Sequence, residues 1–370
     1  MLDQLLSLFT GIPDELSAGS FANHHIIFPD TNTDLSKFDV VIIGVPDSEN
    51  DIKFKGSYEI RKQLYKLSSL SKNLQIIDLG NINLGNSYFE TVSRLRSALE
   101  ILIQLKTKIV LLGGTSIFNK ENISAFNEKE RPLNYISVDS QITWEHLEVH
   151  PFFNHPEVDD EHKFVNFINI GYQSYYVEKK ILDHIRENNF EAYRLGQVRG
   201  KIQEFEPVLR DADMVSFSLN AVKFADAPGA GFSSPNGLTG DEFCQLAFYA
   251  GHSNRINFFG IYDYKPAYDL RNITASLAAQ TIWYLFEGMA TKIVEEPDIT
   301  PENFTKYHIY LDSANQNISF YKSNLTHRWW MEIEIPNRKM TIVQSCSEND
   351  YETACKQEVP DRWWRIFNRI

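Results

Sequence analysis

The sequence predicts an α/β protein of three layers, a mostly parallel sheet between two layers of helices, with a small β-rich extension at the C-terminal end. Three observations predict it. Strand-length apolar runs such as Val40–Val45 and Ile109–Leu112 alternate with helix-length stretches over most of the chain. Most of those runs are continuously apolar, as a strand covered on both faces must be. After Glu295 the texture changes to short runs joined by polar turns, the signature of an antiparallel meander. The chain therefore divides into a lead-in over 1–37, an α/β domain over 38–295 and an extension over 296–370.

In order, the turn residues Gly11, Pro13, Pro29 and Asp30 break the lead-in. FDVVIIGV at 38–45 is a buried strand ended by Pro46. A helix is expected over 58–70, a strand over 74–79, and a helix over 88–106, where Val92, Leu95, Leu99, Leu102 and Leu105 share a face. Strands follow at 108–112 and 133–138, then a polar loop over 140–163. Further strands are expected at 164–170, 190–194, 214–219 and 256–262, with helices at 177–188, 198–211, 241–254 and 274–293. The extension carries four short strands at 307–311, 318–321, 329–335 and 340–344, then helical pieces at 350–356 and 361–367. Its two similar phrases, His327-Arg328-Trp329-Trp330 and Asp361-Arg362-Trp363-Trp364, are expected to pack on the main body, or on a partner, because tryptophans bury.

Composition narrows the function classes. A net charge of −13 spread along 370 residues argues against nucleic acid and against an anionic membrane surface as partners. Cys244, Cys346 and Cys355 form no CxxC pair, so neither a disulfide framework nor a zinc ribbon is expected, and a reducing, cytoplasmic compartment fits. The first residues hold an acid at Asp3 and no basic run, unlike a signal peptide. No apolar run approaches the ~20 residues of a membrane span.

In open parallel sheets, ligands bind beyond the carboxyl ends of the strands. Those ends read Gly113-Gly114-Thr115-Ser116, Val138-Asp139-Ser140-Gln141-Ile142-Thr143, Ser216-Phe217-Ser218-Leu219-Asn220, and Asp263-Tyr264-Lys265-Pro266 with Asp269. A loop from Ala227-Pro228-Gly229 to Gly237-Leu238-Thr239, followed by Glu242, lies between the last two. In order and spacing these words resemble the ureohydrolase family of arginase, agmatinase and formimidoylglutamase, over about residues 38–293. That family reads GGDHS, DAHxD, SFDxDxxDP, a PGGLT-type loop and ExNPxxD. Acidic formimidoylglutamase-like chains are the members it resembles most. The resemblance implies an arginase-like sheet, oligomers, and two manganese ions bridged by a hydroxide, held by two imidazoles and four carboxylates.

This chain departs from that ligand set. Ser116 stands at the GGDHS histidine and Thr115 at the aspartate before it. Asp139 survives in DAHxD, while Gln141 and Thr143 replace the histidine and second aspartate. Ser218 and Asn220 replace two aspartates of SFDxDxxDP, and Lys223 the third. Ser116, Asp139, Gln141, Thr143, Ser218 and Asn220 are thus vestigial metal-site positions, with one carboxylate among six, and neutral oxygens hold hard dications poorly. Asp263 stands where the family has a glutamate that grips the guanidinium-like group, which leaves room for a small cationic ligand or a purely structural carboxylate. Lys223 can supply positive charge that the site has lost.

Rival sites are weaker. The loop after Trp144 carries His146, His150, His155 and His162 among acids, but WEHLEVH is not HExxH, and solvated histidines are common in polar loops. Gly231-Phe232-Ser233-Ser234-Pro235 lacks the GxSxG elbow. Gly229-Ala230-Gly231 lacks a phosphate-loop continuation. Cys244 sits on an expected helix and reads as buried and inert. The sequence thus points to a ureohydrolase-fold protein without its binuclear manganese site and without another cofactor, acting as a binding, scaffold or regulatory module with a protein partner or as a homo-oligomer. Two alternatives stand beside it: an active amidinohydrolase with an atypical metal site, and a metal-free enzyme using Asp139, Lys223 and Asp263 as acid–base groups.

Overall fold

A computed structural model describes residues 5–7, 16–29, 33–46, 54–116, 133–144, 165–298, 300–312, 316–335 and 340–369. The histidine-rich segment after Trp144 lies outside the described residues.

Ten strands form one sheet. They are β1 (Leu6–Ser7), β2 (Ile26–Ile27), β3 (Val40–Gly44), β4 (Ile76–Ile82), β5 (Lys108–Leu112), β6 (Leu133–Val138), β7 (Val165–Tyr172), β8 (Glu191–Arg194), β9 (Met214–Ser218) and β10 (Phe258–Tyr262). The order across the sheet is β1-β4-β3-β5-β10-β9-β6-β7-β8, with β2 also on β4. β1 runs antiparallel to β4, and every other pairing is parallel.

The strand side chains alternate between two apolar layers, as a pleated backbone requires. Val40, Ile42, Val110, Leu112, Val215 and Phe217 join one core with the helices Lys55–Leu64, Gly240–Gly251 and Ile273–Thr291. Val41, Ile43, Ile109, Leu111, Met214 and Phe258 join the other with the helices Tyr88–Gln104 and Lys179–Glu187. The sheet is therefore covered on both faces, which explains the apolar runs of β3, β5 and β10.

The expected elements recur with moved ends, the helix expected over 58–70 as Lys55–Leu64 and the strand expected over 74–79 as Ile76–Ile82, and two regions differ more. The lead-in adds β1 and β2 to the sheet edge. The expected helix over 198–211 is broken into Leu195–Val198, a 3-10 turn Ile202–Phe205 and Glu206–Arg210. Gly200 at φ +74 and Pro207 near the start of the last piece enforce the breaks.

The extension forms a separate antiparallel sheet in chain order, β11 (Phe304–Leu311), β12 (Gln316–Ser323), β13 (Trp329–Ile335) and β14 (Met340–Cys346). The helices Glu348–Cys355 and Asp361–Arg369 follow, and Leu311, Phe320, Met331, Trp363 and Ile366 make its own core. The tryptophans pack within the chain, except that Trp364 is half exposed. Trp329 stacks on Tyr351 at 4.6 Å, and the Arg210 guanidinium lies 4.0 Å over the Trp330 ring.

A buried polar knot ties the extension to the body. Asp211 accepts from the Ser345 N–H at 2.9 Å, the Ser345 hydroxyl at 2.6 Å, the Gln344 amide, and Arg362 at 3.4 Å. Arg362 also donates to Ser345 O at 2.7 Å, and Arg210 to Trp329 O at 3.1 Å. Asp211 sits three residues before β9, so the knot grips the root of a strand whose other end carries Ser218.

Candidate functional site

The strand order sets β5, β10, β9 and β6 side by side, and their carboxyl ends bring the polar words together. Val138 pairs with Phe217 and Tyr262 with Ser218, so Asp139, Ser218 and Asp263 fall in one row. Ser218 is the centre of that row. Its hydroxyl donates to Asp263 Oδ2 at 2.6 Å, and the same oxygen accepts from the Asn220 N–H at 3.2 Å. The Asn220 side-chain oxygen in turn accepts from the Phe232 N–H at 2.6 Å. Asp139 Oδ1 accepts from the Gln141 N–H at 3.1 Å.

Both carboxyls are buried, at 2% and 7% exposure. Burial, and then the nearby Asp263 charge, push the Asp139 carboxyl up to about 8, against hydrogen bonds from the Gln141 and Ser140 amides and from Ser218. Asp263 is raised by burial, and the Ser218 hydroxyl, the Ser116 amide and the Lys265 charge oppose that. Asp263 is also held in the left-handed region at φ +65. Its N–H donates to Gly114 O at 2.9 Å and its carbonyl accepts from the Gly231 N–H at 2.6 Å, which aims the carboxyl into the row.

Of the positions singled out in the sequence, Asp139, Ser218, Asn220 and Asp263 are brought into one hydrogen-bonded group. Ser116 and Gln141 join through their backbone amides. Thr143 lies half-buried further along the Asp139 loop. Lys223, expected to lend its charge to the pocket, is turned elsewhere: its ammonium pairs with Asp226 at 3.4 Å, and Asp226 also takes the Gly240 N–H at the start of the next helix. Lys265 is the cation that acts on Asp263.

The sequence reading also missed the rim. Tyr175, Tyr176 and Phe232 make edge-to-face contacts at 4.5 and 4.9 Å, and Phe232 is directly bonded to the Asn220 side chain. Gly231 was legible only as a loop glycine. A Cβ there would meet Asp263 O at 3.3 Å and Asn220 Oδ1 at 3.4 Å, so the loop closes on the row.

The retained words build the frame. Asp269 accepts from the Thr274 and Ala275 N–H groups at 2.9 and 3.0 Å, securing the start of the helix Ile273–Thr291. Thr239 and Glu242 exchange bonds as a capping box on the helix Gly240–Gly251. A Cβ on Gly237 would strike the backbone of Val222 and Lys223 at 2.6 and 2.4 Å.

A parallel α/β sheet with this frame and a polar row at its strand ends defines the class. The arginase family model matches residues 38–287, and the chain belongs to the arginase family. Its relatives include formimidoylglutamases. That of Streptococcus gordonii is 24% identical over 262 residues, covering 64% of this chain and 78% of its own. That of Staphylococcus haemolyticus is 24% identical over 246 residues, covering 62% and 77%. The fold is shared with the solved Bacillus subtilis formimidoylglutamase at TM-score 0.60 and 18% identity, covering 74% of this chain and 92% of that one. It is shared with Trypanosoma cruzi formiminoglutamase with manganese at 0.59 and 17%, covering 74% and 99%. Bacillus caldovelox arginase matches at 0.52 and 20%, covering 67% and 98%. The family match ends before the extension begins. Among the described residues, no three His, Cys, Asp or Glu side chains are grouped to hold a metal ion, and no helix is long and apolar enough to cross a membrane.

Proposed function

We propose that this arginase-family chain is a non-catalytic binding or scaffold module whose strand-end row does not hold two manganese ions. The observation that carries this reading is the Ser218–Asp263 hydrogen bond, set between two buried carboxyls. Two dications need several anionic oxygens and imidazoles, and neutral hydroxyl and amide groups are poor substitutes. Here the Ser218 hydroxyl and the Asn220 side-chain oxygen are engaged by neighbours. A donor set of two carboxyls and neutral groups does not fit a binuclear centre. In this reading the protein works in the cytoplasm without a cofactor, takes a small cation at Asp263 as its ligand, and acts with a protein partner or as a homo-oligomer.

The test is direct. Purified protein is dialysed against manganese and desalted, and bound manganese is measured together with hydrolysis of formiminoglutamate, agmatine and arginine. The expected result is no retained pair of ions and no turnover. Two manganese ions per chain, retained with turnover, overturn the proposal.

The buried Asp139–Asp263 pair also favours a second reading, an amidinohydrolase with an atypical site. One retained ion and turnover, both lost in Asp139→Asn, would establish it instead.

A further inference from the structure

Among the described residues the sheet of the extension ends at β11, which pairs with β12 alone. Such an edge offers N–H and C=O groups to any strand that meets it, including the same strand of a second copy. The Gln357 side chain reaches it. The Gln357 carboxamide donates from Nε2 to Tyr310 O at 3.1 Å and accepts at Oε1 from the Asp312 N–H at 3.1 Å. A single residue of an added parallel strand makes this same pair of bonds, to the carbonyl of one residue and the N–H two residues on. By the alternation of the strand, the backbone groups of Lys306 and His308 face the same side as the Tyr310 carbonyl.

The placement of Gln357 indicates that its side chain, not its backbone, suits the position. It follows the helix Glu348–Cys355 at φ +63, its N–H donating to Ala354 O and the next N–H to Thr353 O. This is the left-handed residue that closes a helix, where glycine or asparagine is favoured. Two common protections of an edge are missing from the strand itself. β11 contains no proline, and its Lys306 is held by Glu332 at 3.0 Å, so its charge is neutralised.

We infer that Gln357 is an edge cap, whose carboxamide fills the end slot of β11 and keeps that edge from pairing with β11 of a second copy. The inference is independent of the strand-end row and of the function proposed for it.

Gln357→Gly tests it in the full chain, because it removes the carboxamide while giving the backbone the residue it favours. Sedimentation velocity over a concentration series should show self-association strengthened by about tenfold or more over wild type, with an unchanged or higher thermal midpoint. Gln357→Asn, also suited to φ +63 but one methylene short, should behave alike. His308→Pro removes an N–H from that edge, a place where proline is tolerated, so Gln357→Gly/His308→Pro should sediment as wild type. Wild-type sedimentation of both single variants, or association that persists in the double variant, overturns the inference.

Discussion

Ser218 mediates between two acids that burial would otherwise set against each other. Ser218→Ala leaves Asp263 without its nearest donor in a dry site. A loss of about 1–3 kcal/mol in urea unfolding at pH 7 is expected; an unchanged midpoint would show that the hydroxyl is dispensable. Asp139 gives a second prediction, made on chelator-treated protein. Its folded value near 8 lies above the unfolded value of about 3.9. Between those limits the folded state holds a proton that the unfolded state has released, so the stability that this group contributes is greatest below about pH 4, falls as pH rises toward 8 and is lost above it. Asp263, raised by the same burial, acts in the same direction. Asp139→Asn should flatten this slope, and parallel stability curves for the two proteins would refute the assignment. At this scale the sequence was informative where the backbone dictates position. Asp139 and Ser218 end adjacent strands and could point to little but the crevice. Lys223 lies in an irregular loop, where spacing does not say which way a flexible ammonium turns, and Asp226 is only three residues away to receive it.

Two helices of the layer beside β9 and β10 meet backbone to backbone. A Cβ on Gly288 would lie 2.3 Å from Phe248 O, and one on Gly251 the same distance from Leu285 O. Gly288→Ala therefore forces the helices Gly240–Gly251 and Ile273–Thr291 apart. A cost of about 1–3 kcal/mol or more is expected in thermal unfolding, although alanine is the better helix former. Full stability in that variant would show that the crossing adapts. Elements were legible in proportion to their burial. β3 and β10 carry no charged or amide side chain because helices cover both faces, and that leaves little choice of assignment. β1 and β2 are two residues each, too short to carry a period. Apolar spacing suggested one helix over 198–211, but Gly200 and Pro207 divided it, and their local backbone demands outweighed the pattern.

On the scale of the molecule, the extension is a brace for the body. Asp211 receives donors from Gln344, Ser345 and Arg362, all buried. Asp211→Ala strands the Ser345 and Gln344 donors and removes one of the carboxylates that face Arg362, beside Glu191, and breaking such a buried pair costs about 3–5 kcal/mol. Four of the six tryptophans, Trp329, Trp330, Trp363 and Trp364, lie in the extension, so fluorescence is weighted toward it, whereas far-UV circular dichroism reports mostly on the larger body. In the wild type the two signals should lose structure together in denaturant. In Asp211→Ala the fluorescence transition should move to lower denaturant first; coincident transitions in the variant would mean that the knot is not what joins the two parts.

The knot also imposes a schedule on biosynthesis. Asp211 and Gln344 are 133 residues apart, so at about 5–20 residues per second the acid is made on the order of ten seconds before its donors. During that interval the nascent body carries a carboxylate intended for a dry interface and an uncovered patch around Arg210, and it has to tolerate water there. The root of the strand that leads to Ser218 is bonded to Asn134 and Ser253 within the body, but the Asp211 side chain gains its donors only when residues 344–362 arrive. A ribosome stalled before residue 340 should therefore display a body that is folded in outline yet unusually open to protease between residues 199 and 213.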